Sequence, residues 1–505
     1  MALDFSPVTS GAATPASPAA SAVNATAAPV SATPERDLLA PLPPVRAVDP
    51  GVLANRVTGS GRLLVVLDDD PTGTQTIADL PVLTAWSVDD LRWAIRQGSP
   101  ACYVLTNTRS LDPDQAAARN RAVVASLVAA ARAEQCAFAL VSRGDSTLRG
   151  HYPLETDVLH DALVAHGEPP ADGLLLCPAY LDAGRLTVED VHWMRTSDGM
   201  LPVGASEFAR DATFGYRSSN LRSFIEEKTG GRWRAEDVLS IGLDDIRLGG
   251  ERRVAELLGA LRGGRPAIVN AASEDDLRVV ALGALSAERD GRRLLYRTGP
   301  SFVRARAGQA AREPLTTAQL YPDGAPTRHG LIVVGSHVSL TTRQLEALRR
   351  SGGITEIELD VAALLDPDRR ACHIEAVAGA AARGLDAADV VVRTTRQVVT
   401  GADPASSLGI ARQVSAALVQ VVRAVTATRA PRFVVAKGGI TSSDVATDGL
   451  GIRRAWVRGT LLPGIVSAWS AVDGAAPGVP YVVFAGNVGT DESLARVVDV
   501  LRGEP

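Results

Sequence analysis

At 505 residues the chain is too long for one core, and two or three domains are expected. Its 46% hydrophobic and 22% charged content suits a globular protein in water, and a net charge of −5 gives no basic footprint for nucleic acid. No apolar run is long enough to cross a bilayer. The four scattered cysteines and seven histidines lack zinc, redox or other metal-ligand spacing, so they read as thiols and packing residues of a cytoplasmic protein with no protein-only metal site.

Basic residues are almost all arginine; only Lys228 and Lys437 are lysine. A lysine in such a chain marks a place where a compact charge suits better than a planar fork. The Ala/Pro/Ser/Thr tract that opens the chain has too few large apolar residues to fold and lacks the basic start of a secretory signal, so residues 1–50 are expected to form a disordered tail.

From there, short apolar runs alternate with helical patterns. LLVVL (63–67), CYVLT (102–106), AFALVS (137–142), GLLLC (173–177) and AIVNA (267–271) read as buried strands, with segments such as 114–134 as helices between them. This predicts a first α/β domain over 51–312 with a largely parallel sheet; the aromatic-rich stretch 185–250 reads as an α+β insertion or short β-region. Residues 313–330 are rich in turn formers and serve as the connection. LIVVG (331–335), ADVVVRT (388–394), RFVVAKGG (432–439) and YVVFAGN (481–487) then predict a second α/β domain over 331–505.

The chemistry is expected at strand ends, where open α/β sheets bind ligands. LLVVL runs into Asp68, Asp69 and Asp70, then Pro71, Thr72 and Gly73. Asp70 to Gly73 fits a type I turn, but a turn leaves Asp68 and Asp69 unexplained. LTNTRSL (105–111) offers Asn107, Thr108, Arg109 and Ser110 after the next strand. VSRGDSTLRG (141–150) offers Arg143, Asp145, Ser146, Thr147 and Arg149, and a later turn supplies Gly184 and Arg185. Guanidiniums clamp carboxylate or phosphate while carboxylates and hydroxyls bond a polyol, so the mixture fits a small, anionic, hydroxylated substrate; an Asp–Arg ion pair beside a helix cap is the plainer alternative. His192 and Trp193 read as packing residues.

The second domain has three strand-then-glycine turns: Gly335-Ser336 with Ser339, Lys437-Gly438-Gly439-Ile440-Thr441, and Gly486-Asn487-Val488-Gly489. Such turns present backbone N–H groups to anions, and neither a P-loop nor a dinucleotide fingerprint is present. Gly439 is expected either to pass close to a phosphate or to need φ > 0.

In the order and spacing of these motifs, over roughly residues 60–500, the chain resembles the four-carbon acid sugar kinase family. The resemblance rests on Asp69-Asp70-Pro71-Thr72-Gly73, Asp145 to Gly150, Gly184-Arg185-Leu186-Thr187 and the three glycine turns. It implies two α/β domains with largely parallel sheets and an active-site cleft between them, an acid-sugar domain followed by a nucleotide domain, and ATP with Mg²⁺ as cofactors. The activity implied is phosphorylation of threonate, erythronate or 3-oxo-tetronate at the terminal hydroxyl. The implied substrate contacts are Thr72, Arg109, Arg143, Ser146, Thr147, Arg149 and Arg185. The implied ATP contacts are Ser336, Ser339, Lys437, Gly438, Gly439, Ile440, Thr441, Gly486, Asn487 and Gly489. The base is Asp69, Asp70 or Asp145, and either Ser336 or Ser339 meets the nucleotide. The implied partners are the acid sugar and ATP, with neither nucleic acid nor membrane, and a homo-oligomer is compatible with this. The competing readings are a non-catalytic nucleotide or sugar-acid sensor and an acid-sugar aldolase or dehydrogenase. Against the aldolase, Lys437 in a Gly-Gly turn is expected to be poorly placed for a desolvated amine.

Overall fold

The computed structural model describes residues 32–70, 72–396, 399 and 404–503, with 404–408 as backbone only. Pro71 and the tail as far as residue 31 therefore lie outside the described residues. In the first half the strands are β1 (Arg62–Asp68), β2 (Leu80–Leu83), β3 (Ala101–Leu105), β4 (Ala137–Arg143) and β5 (Gly173–Cys177). The expected insertion contains the antiparallel sheet β6 (Arg185–Val188), β7 (Val191–Thr196) and β8 (Gly199–Pro202), and β9 (Leu239–Ile241), β10 (Arg265–Val269) and β11 (Leu294–Thr298) complete the half. The second half holds β12 (Leu331–Val334), β13 (Ile354–Leu359), β14 (Asp389–Thr394), β15 (Val434–Lys437), β16 (Arg454–Leu462), β17 (Val466–Ala471) and β18 (Pro480–Phe484).

Both halves share one 15-stranded sheet in the order β13-β14-β12-β15-β18-β17-β16-β2-β3-β1-β4-β11-β5-β10-β9. The strands from β2 to β9 in this order form one parallel set, and those from β13 to β18 form another. Three successive antiparallel pairings, β2/β16, β16/β17 and β17/β18, join the sets, so they run in opposite directions. The join is reinforced by Asp90, fully buried, which accepts from Arg453 Nη2 at 2.6 Å and Arg454 Nε at 2.9 Å.

Alternation along single strands shows how the sheet is covered. Leu64 and Val66 of β1 enter one core and Leu63, Val65 and Leu67 another, and β12 divides in the same way. Both faces are therefore packed, as continuous apolar runs require. One core extends through both halves on one face, whereas the other face carries separate cores. Helix Pro113–Ala133 matches the expected segment and buries Val123, Val124, Leu127 and Val128. Among the described residues no helix is long and apolar enough to cross a membrane.

One boundary differs from expectation. Residues 32–50, assigned to the tail by composition, are ordered on the first half. Thr33 pairs with Met200, helix Glu35–Leu39 presents Glu35 to Arg195 at 2.6 Å, and Val48 N donates to Asp275 at 3.1 Å. Leu38, Leu39, Leu42 and Val48 pack against the main core between these polar anchors, so the folded part begins where leucines replace the Ala/Ser/Thr of the opening tract.

Candidate functional site

In the first half the chain starts mid-sheet at β1, with β3 on one side and β4 on the other, so the aspartates leave β1 at a topological switch point. Register then assigns the partners. Asp68 lies opposite Arg143 of β4, whose Nη1 donates to Asp68 Oδ1 at 3.0 Å. Asp68 is fully buried, and its Oδ2 has no hydrogen-bond partner among the described residues. A Cβ built on Gly73 would stand 1.5 Å from that oxygen, so the turn closes over Asp68 only with glycine there. Burial pushes the Asp68 carboxyl from 3.8 up to about 7, although Arg143 pulls it down.

That shift carries a stability consequence. Between pH 4 and 7 the folded chain keeps a proton that the unfolded chain has released, so the contribution of Asp68 weakens as pH rises through that window. The stability cost of Asp68→Asn is therefore expected to shrink, by roughly 2 kcal/mol, between pH 5 and pH 8. Urea unfolding at the two pH values checks this, and a cost that grows with pH would contradict it.

Asp69 and Asp70 share Arg109. Its Nη2 donates to Asp69 Oδ1 at 2.5 Å, its Nε to Asp69 Oδ2 at 3.3 Å and its Nη1 to Asp70 Oδ2 at 3.0 Å. Asp70 Oδ1 accepts from both the backbone and hydroxyl of Thr72. Burial alone would raise Asp70, but Arg109 and Thr72 outweigh it and hold the carboxyl below its usual range. Asp145 Oδ2 accepts from the Thr147 hydroxyl and from Arg149 Nε at 2.7 Å, while Oδ1 has no partner among the described residues. Burial is again the largest influence and raises it, yet Arg109 and Arg149 keep Asp145 well below the carboxylate range.

Arg149 stacks on Phe208 at 4.7 Å, with Nη1 3.7 Å from Asp211. Arg185 Nη1 reaches Ser146 Oγ at 3.3 Å, and its buried Nε has no partner among the described residues. His192 is fully buried between Thr187 Oγ1 and the Ser146 carbonyl, and burial lowers its pKa to about 4, as befits a packing residue. Sequence reasoning missed Arg297 and Glu155. Arg297 Nη1 donates at 2.7 Å to both Ser142 Oγ and Glu155 Oε2, Nη2 stands 3.9 Å from Asp69, and Glu155 accepts from Thr108 at 2.5 Å. An arginine inside the apolar run LLYRT, just before Gly-Pro, was the available signal.

The second half repeats the logic at β12, which has β14 on one side and β15 on the other. The three glycine turns follow β12, β15 and β18, consecutive neighbours in the sheet, and they bond to one another: Gly335 N donates to the Lys437 carbonyl at 3.2 Å and Gly438 N to the Phe484 carbonyl at 2.8 Å. Ser336 is half-buried at their centre. Its Oγ would lie 2.5 Å from a Cβ on Gly486, and it accepts from Thr341 at 3.2 Å. Ser339 and Asn487 are exposed, and Ile440 is 59% exposed. Gln344, also missed, is fully buried and holds the last turn through the carbonyls of Val488 at 3.1 Å and Thr490 at 2.8 Å.

Two expectations need correction here. Lys437 is fully buried: Nζ donates to the Ala485 carbonyl at 2.7 Å and lies 3.7 Å over the Phe484 ring, its in-register neighbour, and burial lowers its pKa to about 7. The amine is thus desolvated after all, because a strand's last residue still points into a covered face. The φ > 0 alternative for Gly439 also fails. Gly438 has that conformation, at φ +131°, whereas Gly439 begins a helix and a Cβ on it would meet nothing within 4 Å.

The halves touch at the site: Asn107, in the left-handed region at φ 49°, donates through Nδ2 to Ser443 Oγ at 3.4 Å. Among the described residues no group of three or more His, Cys, Asp or Glu side chains could hold a metal.

Family models for a sugar-binding N-terminal domain and a nucleotide-binding C-terminal domain match residues 64–306 and 331–494. A D-erythronate kinase from Heliobacterium modesticaldum is 27% identical over 360 residues, which cover 70% of this chain and 73% of that protein. Two crystal structures share the fold. A Haemophilus influenzae protein superposes with TM-score 0.59 at 19% identity, covering 86% of this chain and 98% of that one. A Salmonella typhimurium LT2 protein described as a putative tRNA synthase gives 0.62 at 18%, with the same coverage. With both domain models matched in order onto the two halves that carry the strand-end clusters, the chain belongs to the four-carbon acid sugar kinase family.

Proposed function

We propose that the protein transfers the γ-phosphoryl group of ATP to the terminal hydroxyl of a four-carbon acid sugar: threonate, erythronate or 3-oxo-tetronate. The observation that carries this reading is the contact of two unlike anion-handling sites at Asn107 and Ser443. One is a cluster of carboxylates, guanidiniums and hydroxyls; the other is a set of three mutually bonded glycine turns.

In this reading Arg149 and Arg185 hold the sugar's carboxylate, since each keeps N–H donors uncommitted, and Ser146 and Thr147 meet its hydroxyls. Arg109 and Arg143 are committed to the aspartates and hold them in place. Asp145 orients the reacting hydroxyl, because Oδ1 is its open oxygen whereas Asp69 is gripped through both of its own. Phosphoryl transfer passes through a loose transition state, so an ionised carboxylate that positions the nucleophile serves even with a depressed pKa. Ser336, Gly438, Gly439, Thr441 and Gly486 cradle the nucleotide, with Ser336 rather than the exposed Ser339 at the centre. The space beside Gly439 fits such a group. Asp70, the most exposed of the strand-end carboxylates, would help hold Mg²⁺ brought in with the nucleotide, which when bound would supply charge neutralisation.

The aldolase reading does not fit Lys437, whose amine is desolvated as a Schiff base requires but has no exposure through which a carbonyl substrate would reach it. A coupled ADP-release assay with ATP and each candidate acid, D-erythronate first, tests the proposal. Acid-dependent ADP formation is expected; binding of both ligands without turnover would instead identify a sensor.

A further inference from the structure

A nucleotide's phosphates call for a cation beside the glycine turns, and the motif's own lysine is committed elsewhere. Lys437 Nζ points beneath the cradle, toward the Ala485 carbonyl and the Phe484 ring, with no exposed surface. It props the residue before Gly486 and is a positioning group.

Arg396, two residues beyond β14, stands differently. Its Nη1 donates to the Ser336 carbonyl and its Nη2 to Thr342 Oγ1 at 2.7 Å, which places the guanidinium against the central cradle residue and the first turn of helix Ser339–Ser351. Among the described residues two of its five N–H donors are used, and Nε has no partner. Among the described residues no carboxylate lies within ion-pair distance of it. Glu356, the carboxylate that influences it electrostatically, is already held by Arg349 at 2.7 Å and by Arg393. The other charges acting on it, Arg393 and Arg349, are positive, and half-buried His337 is adjacent. A partly buried guanidinium without a counter-ion is costly unless an anion arrives.

Resting on the nucleotide reading given above, we propose that Arg396, not Lys437, is the cation that contacts the nucleotide phosphates. Its planar fork suits phosphate oxygens, and its bonds to Ser336 and Thr342 hold it ready before the ligand binds.

Calorimetry on the full chain with ATP and with adenosine, at two salt concentrations, tests this. Arg396→Gln is expected to weaken ATP binding at least tenfold, to leave adenosine binding unchanged and to flatten the salt dependence for ATP; Arg396→Lys recovers part of the loss. Unchanged ATP affinity in Arg396→Gln would overturn the inference. So would equal losses for ATP and adenosine, which would make Arg396 only an anchor of the Ser336 turn. If the unmodified protein binds neither ligand, the nucleotide reading itself is wrong and the inference falls with it.

Discussion

Asp145→Asn is expected to lower kcat for acid-sugar phosphorylation by at least about a thousandfold while leaving KM for ATP within about twofold. The substitution keeps the shape, the Thr147 contact and the bulk beneath Arg149, but replaces the oxygen pair by one oxygen and an amide that donates. The amide has two placements, and both are harmful. Turned toward Arg149 it sets donor against donor at the 2.7 Å contact; turned outward it presents N–H to the incoming hydroxyl. Because Arg109 and Arg149 keep Asp145 ionised far below neutral pH, the wild-type rate should show no loss from protonation of this group between pH 6 and 8. Steady-state kinetics over that range decides the matter. A large rise in KM for the acid sugar with kcat retained would show that Asp145 holds a non-reacting hydroxyl, and the orienting role would pass to Asp70.

The division between what the sequence reveals and what it hides follows from the range of the interactions. Apolar runs are local, so β1, β3, β4, β5 and β12 were legible with ends correct to within a residue or so, and the aspartates and glycine turns that follow them were legible with them. β2, β16 and β17, which weld the halves into one sheet, were not. β16 interleaves Arg454 and Arg458 with buried residues before it becomes continuously buried, and its worth lies in pairing with β2, which belongs to the other half of the chain. The groups behind the strand-end aspartates were hidden for the same reason. Arg297 and Glu155 come from a strand and a helix 142 residues apart: Glu155 reads locally as an ordinary surface charge, and the apolar run around Arg297 marks it as unusual without naming its partner. Lys437 shows the converse error. Its neighbours Gly438 and Gly439 suggest an exposed turn, whereas register with Phe484 places its amine in the interior.

The two adjacent glycines separate backbone need from ligand space. Gly438 is buried at φ +131° and ψ 143°, a conformation that side chains rarely adopt, and a Cβ there would also stand 3.0 Å from Thr441 Oγ1 and 3.4 Å from Ser336. Strain of this kind costs on the order of 1–3 kcal/mol, so Gly438→Val should lower the melting temperature without ligand and disturb the turn whatever binds there. Gly439 has ordinary helical geometry, and a Cβ added to it would have nothing within 4 Å, so the fold has no objection to a side chain. If the empty space belongs to the nucleotide, Gly439→Val should leave the ligand-free melting temperature nearly unchanged. It should also remove the ATP-induced thermal shift, corresponding to a loss of at least about tenfold in affinity, while keeping the shift given by the acid sugar. The two variants are measured side by side, each with ATP and acid sugar separately. A full ATP shift in Gly439→Val would sink the phosphate-cradle assignment. A melting temperature lowered as much as in Gly438→Val would mean that this position is structural.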